Sequence, residues 1–101
     1  MRLKTVELAV GTGGNAFKRV GPCELTTLQV SSDREAPTSH VLVTAGEEII
    51  LDTDIADVHG ELLVNRVDGA VSPVEFMGDV DIAVRNGTEG EVVTVKLGVS
   101  S

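Results

Sequence analysis

Several apolar runs in this chain recur on every second position. Val80, Ile82 and Val84 fall on every second position, as do Val93, Val95 and Leu97, and as do Val6, Leu8 and Val10 after Lys4. A period of two sends alternate side chains to opposite faces of an extended strand. No window keeps an i, i+3, i+4, i+7 pattern over a dozen residues, so long amphipathic helices are not expected. The apolar set is also of one kind. Seventeen residues are Val, four are Ile and nine are Thr, whereas Phe17 and Phe76 are the only aromatics. β-Branched side chains are stiff at χ1 and suit a pleated, half-buried surface. The pattern predicts an all-β protein with an aliphatic core.

Turn chemistry divides the chain into short strands. "LKTVELAV" (3–10) precedes the glycine loop "GTGGN" (11–15), and "GPC" (21–23) precedes "ELTTLQV" (24–30). After the polar loop "SSDREAPTS" (31–39), "HVLVTAGEEIILDTD" (40–54) reads as two strands around Ala45-Gly46-Glu47. "GELLVNRV" runs into Asp68-Gly69, a strong hairpin signal because both residues accept positive φ. Pro73 makes "AVSPVEF" an edge strand or a bulge. "GDVDIAVRN" and "GEVVTVKLGV" flank "NGTEG" and are expected to pair as a hairpin. The predicted fold is a small β-sandwich or β-barrel, jelly-roll-like, of about eight short antiparallel strands. At 101 residues there is room for one core. Residues 1–21 are assigned to an N-terminal strand or irregular arm with its Gly-rich loop, and residues 22–101 to a single all-β domain.

Charge and composition exclude several functions. The net charge is −8, which repels phosphate backbones, and there is almost no aromatic surface on which single-stranded bases could stack. Nucleic acid is therefore not expected as a partner. The charge is uneven: residues 1–34 carry five basic and three acidic side chains, and residues 35–101 three basic and thirteen acidic. The basic N-terminal segment, with Arg2, Lys4, Lys18 and Arg19, is the candidate for docking on an acidic surface, including that of a neighbouring copy. The competing reading is that the acidic residues only keep the domain soluble. One cysteine, Cys23, excludes an intrachain disulfide and reads as a small buried hydrophobe. Glu7 interrupts what a signal peptide would need, and no run approaches the roughly 18 apolar residues of a membrane helix. Synthesis and folding in a cytoplasm, with no membrane partner, are expected.

Two constellations invite chemistry. Gly11, Gly13 and Ala16 fit G-x-G-x-x-A after a strand, with Glu35 nineteen residues beyond Ala16. That fingerprint needs a helix behind the loop, and "NAFKRVGP" leaves room for about two turns before Gly21-Pro22; no cofactor is expected. "LDTDIADVHGE" (51–61) gathers Asp52, Asp54, Asp57, His59 and Glu61. Counted from Asp52, an EF-hand loop fails at Ala56, Asp57 and Leu63. Zinc would find His59 without a local second His or Cys, since His40 and Cys23 are distant in sequence. A looser Ca²⁺ site on Asp52, Asp54 and Asp57 is the metal candidate. The competing reading is a polar corner between strands, with Asp54 or Asp57 capping one helical turn and Gly60 releasing the chain into "ELLVN". No serine lies in G-x-S-x-G, only His40 and His59 could act as a neutral-pH base, and no enzyme is expected.

At "ILDTDIADVHGELLVNRVDGAVSPVEF" and the closing "DIAVRNGTEGEVVTVKLGVSS" the chain resembles small β-domains of bacteriophage virion appendages. The resemblance covers about residues 49–99 and implies a capsid decoration, head-fibre or tail-type protein. Such a protein is non-enzymatic, forms homo-oligomers (a trimer is favoured) and binds a capsid or tail as part of the virion, after synthesis in the host cytoplasm. It carries over no site residues. The alternatives are a soluble ligand- or Ca²⁺-binding β-domain and an accessory subunit of a bacterial assembly.

Overall fold

The alternation becomes two facing layers. In the computed structural model, which describes residues 2–21, 24–45, 48–60, 62–64, 66–67, 70–71, 74–75 and 79–100, the strands are β1 (Arg2–Ala9), β2 (Ala16–Val20), β3 (Glu24–Ser32), β4 (His40–Ala45) and β5 (Glu48–Asp54). A single helical turn, α1 (Ile55–Val58), leads to β6 (Leu62–Val64), β7 (Arg66–Val67), β8 (Ala70–Val71), β9 (Val74–Glu75), β10 (Val80–Arg85) and β11 (Val92–Ser100). One sheet has the order β1-β11-β3-β6, with β9 also paired to β3; the other has the order β2-β10-β4-β5. Every pairing is antiparallel. Without the short insertion β7 to β9, eight strands remain. Numbered along the chain, the first, eighth, third and sixth form one sheet and the second, seventh, fourth and fifth the other. This is the order of a jelly roll, a double-sheet architecture that buries one face of each sheet.

Val6, Leu8, Leu28, Val30, Val93, Val95 and Leu97 line the inside of the first sheet, and Val20, Val41, Val43, Val80, Ile82 and Val84 that of the second. All are buried, so the core is aliphatic and mostly valine, as predicted. Residues 1–21 supply β1 and β2, one strand to each sheet. The strands flanking Asp68-Gly69 do pair, as β7 and β8. Asp68-Gly69 itself, Cys23 and Pro73 lie outside the described residues.

One sequence expectation fails for a physical reason, and one side chain faces the opposite way from simple alternation. β10 and β11 do not form a hairpin: β10 lies between β2 and β4, and β11 between β1 and β3. Both strands present a buried face, and the connection 86–91 crosses from one sheet to the other at a corner where Asn86 has φ 59° and Gly90 φ 89°. Alternation alone does not distinguish a hairpin from such a corner. Between β4 and β5 the register slips at Val43/Thr44, so that Leu51 faces Val43 but Ile49 faces Thr44. The bulge turns Ile49 outward, 66% exposed, where strict alternation from Leu51 places it inside.

That corner is organised by Glu91, which is fully buried. Its Oε2 accepts from the Ser32 hydroxyl and, at 2.9 Å, from the Ser39 hydroxyl, and its Oε1 accepts from the Thr88 amide at 3.0 Å. Its carbonyl accepts from the Val10 amide at 2.8 Å. Burial pushes the carboxyl pKa up, but the bonds from Ser32, Thr88 and Ser39 outweigh burial and hold it below the ordinary glutamate range. The glycine loop 11–15 docks on the same corner, where the Gly87 amide donates to the Gly14 carbonyl at 2.9 Å.

Glu91→Ala leaves two hydroxyls and an amide without their acceptor, and the unfolding free energy measured in urea should fall by about 3 kcal/mol. A depressed carboxylate stabilises the fold above its unfolded pKa, about 4.3, and that contribution is lost as pH falls through the lower native value. Glu91→Gln should therefore show a shallower loss of stability on acidification below about pH 4.3 than the parent chain. Gly14 has φ +79°, and an added Cβ would lie 2.6 Å from the Gly87 carbonyl oxygen. Gly14→Ala should cost about 2 kcal/mol or more in the same measurement.

Candidate docking surfaces

The outer face of the β2-β10-β4-β5 sheet follows from its registers. One cross-strand row runs Phe17, Ala83, Leu42, Asp52; the next runs Arg19, Asp81, Thr44, Ile49; and Arg85, His40 and Asp54 form a third. Phe17 is 61% exposed and Ile49 is 66% exposed, at opposite sides of a partly covered centre of Leu42, Ala83 and Thr44. Arg19 grips Asp81 with two bonds, of 2.7 and 3.2 Å, stands 3.8 Å from Asp79, and holds its guanidinium 6.0 Å from the centre of the Phe17 ring. The hydrogen bond to Asp81 raises the Arg19 pKa, and the same bond lowers that of Asp81. The pair is exposed, so it adds little stability. Its effect is to fix a charged border beside Phe17.

On the β5 side the border is His40. Its Nδ1 lies 2.8 Å from Asp54 Oδ1, and its Nε2 is bonded to Asp52. An ionised carboxylate only accepts hydrogen bonds, so contacts at both ring nitrogens favour the doubly protonated imidazolium form. The bonds to Asp52 and then to Asp54 raise the His40 pKa, although partial burial opposes them. Sequence reading missed this cluster because His40 and Asp54 are fourteen positions apart. Reading 40–54 as two paired strands is the signal that brings His40 near the end of β5, and the register shift between Val43 and Thr44 then sets it opposite Asp54 rather than Thr53.

Residues 55–60 lead the chain from β5 of one sheet toward β6 of the other, and Glu61 lies outside the described residues. Asp54 takes the N-cap position of α1 with extended backbone, but its side chain makes no capping bond and turns to His40 instead. Ile55 is buried, and its amide donates to the Ser39 carbonyl at 2.9 Å. His59 Nε2 donates to the Ser32 carbonyl at 3.0 Å. Gly60 turns with φ +74° and donates its amide to the Val30 carbonyl at 2.9 Å. Asp57 lies within α1, away from the face that Asp52 and Asp54 share. Among the described residues no group of three or more His, Cys, Asp or Glu is set to hold a metal.

Of the basic residues assigned to docking, Lys4 and Lys18 share a parity with the buried faces of β1 and β2. They line one cleft of about 710 Å³ together with Thr5, Val6, Glu7, Val20 and Gly21. β1 and β2 are edge strands of the two sheets, and the cleft is the open side of the sandwich between them. Arg19 borders the cleft, but its guanidinium belongs to Asp81. Arg2 begins β1, and its side chain lies outside the description. The loop "GTGGN" is followed by the strand β2 rather than by the helix a dinucleotide loop requires.

No protein-family model matches the chain, and no similar protein was found among curated sequences or solved structures.

The His40 clamp has a readable pH signature. A raised histidine pKa gives stability that is complete below the unfolded value, about 6.5, and is lost as pH rises through the native one. The stability difference between the parent chain and His40→Gln should be largest below pH about 6.5 and shrink on alkalinisation. An NMR titration should bring the His40 ring back to the ordinary range in the Asp52→Asn, Asp54→Asn variant.

Proposed function

We propose that this chain is a non-enzymatic assembly protein: a jelly-roll domain that self-associates through the outer face of its β2-β10-β4-β5 sheet and attaches to a larger multimeric particle. The carrying observation is the pairing of Phe17 and Ile49, the exposed large apolar side chains of the described residues, on that one face. Scattered exposed apolar residues need no explanation, but a shared face bordered by charged pairs suits a contact between copies. The fixed borders Arg19–Asp81 and His40–Asp52–Asp54 supply orientation, and the apolar centre supplies affinity. The basic cleft of Lys4 and Lys18 is the point of attachment to an acidic surface.

The histidines support a non-catalytic reading. Both ring nitrogens of His40 are held by carboxylates, and His59 spends Nε2 on a backbone carbonyl. Double-sheet jelly rolls occur in viral capsid domains, which agrees with the resemblance to virion appendages, although a fold alone does not assign a function. A capsid or tail, with the protein carried in the virion after synthesis in the host cytoplasm, is the assembly this reading favours.

Light scattering on the purified chain at neutral pH should give the mass of a trimer or larger species. Phe17→Asp with Ile49→Asp should reduce it to a monomer while leaving the far-ultraviolet circular dichroism unchanged. A parent chain that stays monomeric and binds no particle would overturn the reading.

A further inference from the structure

β1 presents an unpaired edge, and its polarity can be worked out residue by residue. The Val10 amide donates to the Glu91 carbonyl at 2.8 Å, and the Val10 carbonyl accepts from the Gly90 amide at 2.9 Å, so the backbone of Val10 faces the β11 side. The Asp33 amide donates to the Val92 carbonyl, which places Val92 on the β3 side and fits the same phase. An unbroken register from Arg2↔Val99 to Ala9↔Val92 carries the alternation back along β1. Leu8, Val6 and Lys4 therefore bond to β11. Ala9, Glu7, Thr5 and Leu3 turn their amides and carbonyls to the far edge, with which no described strand pairs. That edge opens into the cleft lined by Lys4 and Lys18. No ion pair of either lysine occurs among the described residues.

We propose that the β1 edge is a strand-addition site for an extended acidic segment of the partner polypeptide. The choice of an acidic partner rests on the attachment reading above; the mode of binding rests on the edge. An incoming antiparallel strand bonds through the residues opposite Leu3, Thr5, Glu7 and Ala9, and these share the outer face of the sheet. Its other residues point inward beside Lys4 and toward Lys18. Inward-pointing lysines guard an edge against apolar strands, because pairing would strip their ammonium groups of water. A strand with Glu or Asp at the inward positions meets those ammonium groups with opposite charge instead. At the outward positions Glu7 repels further acids, so neutral residues belong there. The recognised segment thus alternates acidic with neutral β-forming residues, and the lysines select it while rejecting an apolar edge.

The probe is a fluorescein-labelled ten-residue peptide of alternating Thr and Glu, titrated onto the full chain by fluorescence anisotropy. Its companion carries N-methyl groups on the threonines, which keeps every charge and removes the amides that would face β1. The unmodified peptide should bind about tenfold or more tightly than the methylated one. It should also slow amide hydrogen exchange at Leu3, Thr5, Glu7 and Ala9. Lys4→Glu with Lys18→Glu should weaken its binding about tenfold or more. Equal binding of the two peptides would overturn strand addition and leave an ionic attachment standing. Binding by neither would overturn strand addition and the basic cleft as the attachment point together.

Discussion

The two sheets are held in register at one end by a carboxylate that water does not reach. Glu91 draws on Ser32 at the end of β3, Ser39 just ahead of β4, and Thr88 in the connection from β10 to β11, while its carbonyl secures the end of β1. Those segments come from both layers. A valine core is non-directional, since burial of short aliphatic side chains rewards contact without specifying which strand lies over which. The directional bonds at Glu91 add that specification. A buried carboxylate without partners costs several kcal/mol, so any slip of the loops that removes a donor is penalised steeply. Among the described residues no buried side-chain polar atom lacks a partner, which fits a corner assembled as one unit.

How far the sequence could be read depended on the range of the physics involved. Alternation is local, so Val80, Ile82 and Val84 declared their shared face directly, and the aliphatic, all-β character followed from composition. The one-turn corner at 55–60 was equally legible, because an aspartate, a glycine and a change of period sit within a few residues. Pairing is not local. "NGTEG" looks the same in a hairpin and in a corner between sheets, and only the competition of β1 and β3 for the edges of β11 decides between them. Glu91, in "TEGEVV", reads as one more surface acid, since its donors come from positions 32, 39 and 88. Ile49 faces outward because of a bulge that strict alternation cannot anticipate.

The two surfaces differ in kind. The outer face of the second sheet offers side chains on a layer whose backbone is already paired, so its selectivity depends on shape and on the fixed charges around Phe17 and Ile49. The β1 edge offers backbone groups, which any strand could use, and relies on Lys4 and Lys18 for selectivity. A protein that must bind its own copies and a different partner gains from keeping these mechanisms apart, because a change in one need not disturb the other.

The strand order also dictates when the molecule can come together. β11 is the inner strand joining β1 to β3, and Leu8 pairs with Val93. At about 5–20 residues per second of synthesis, β1 emerges several seconds before the strand it needs. Until then β1 and β3 both expose edges, while β4 and β5 can already form their hairpin. The first half of the nascent chain is thus dependent on its last described strand, and any interruption before β11 leaves a pair of aliphatic strands open to chaperones or to the wrong neighbour.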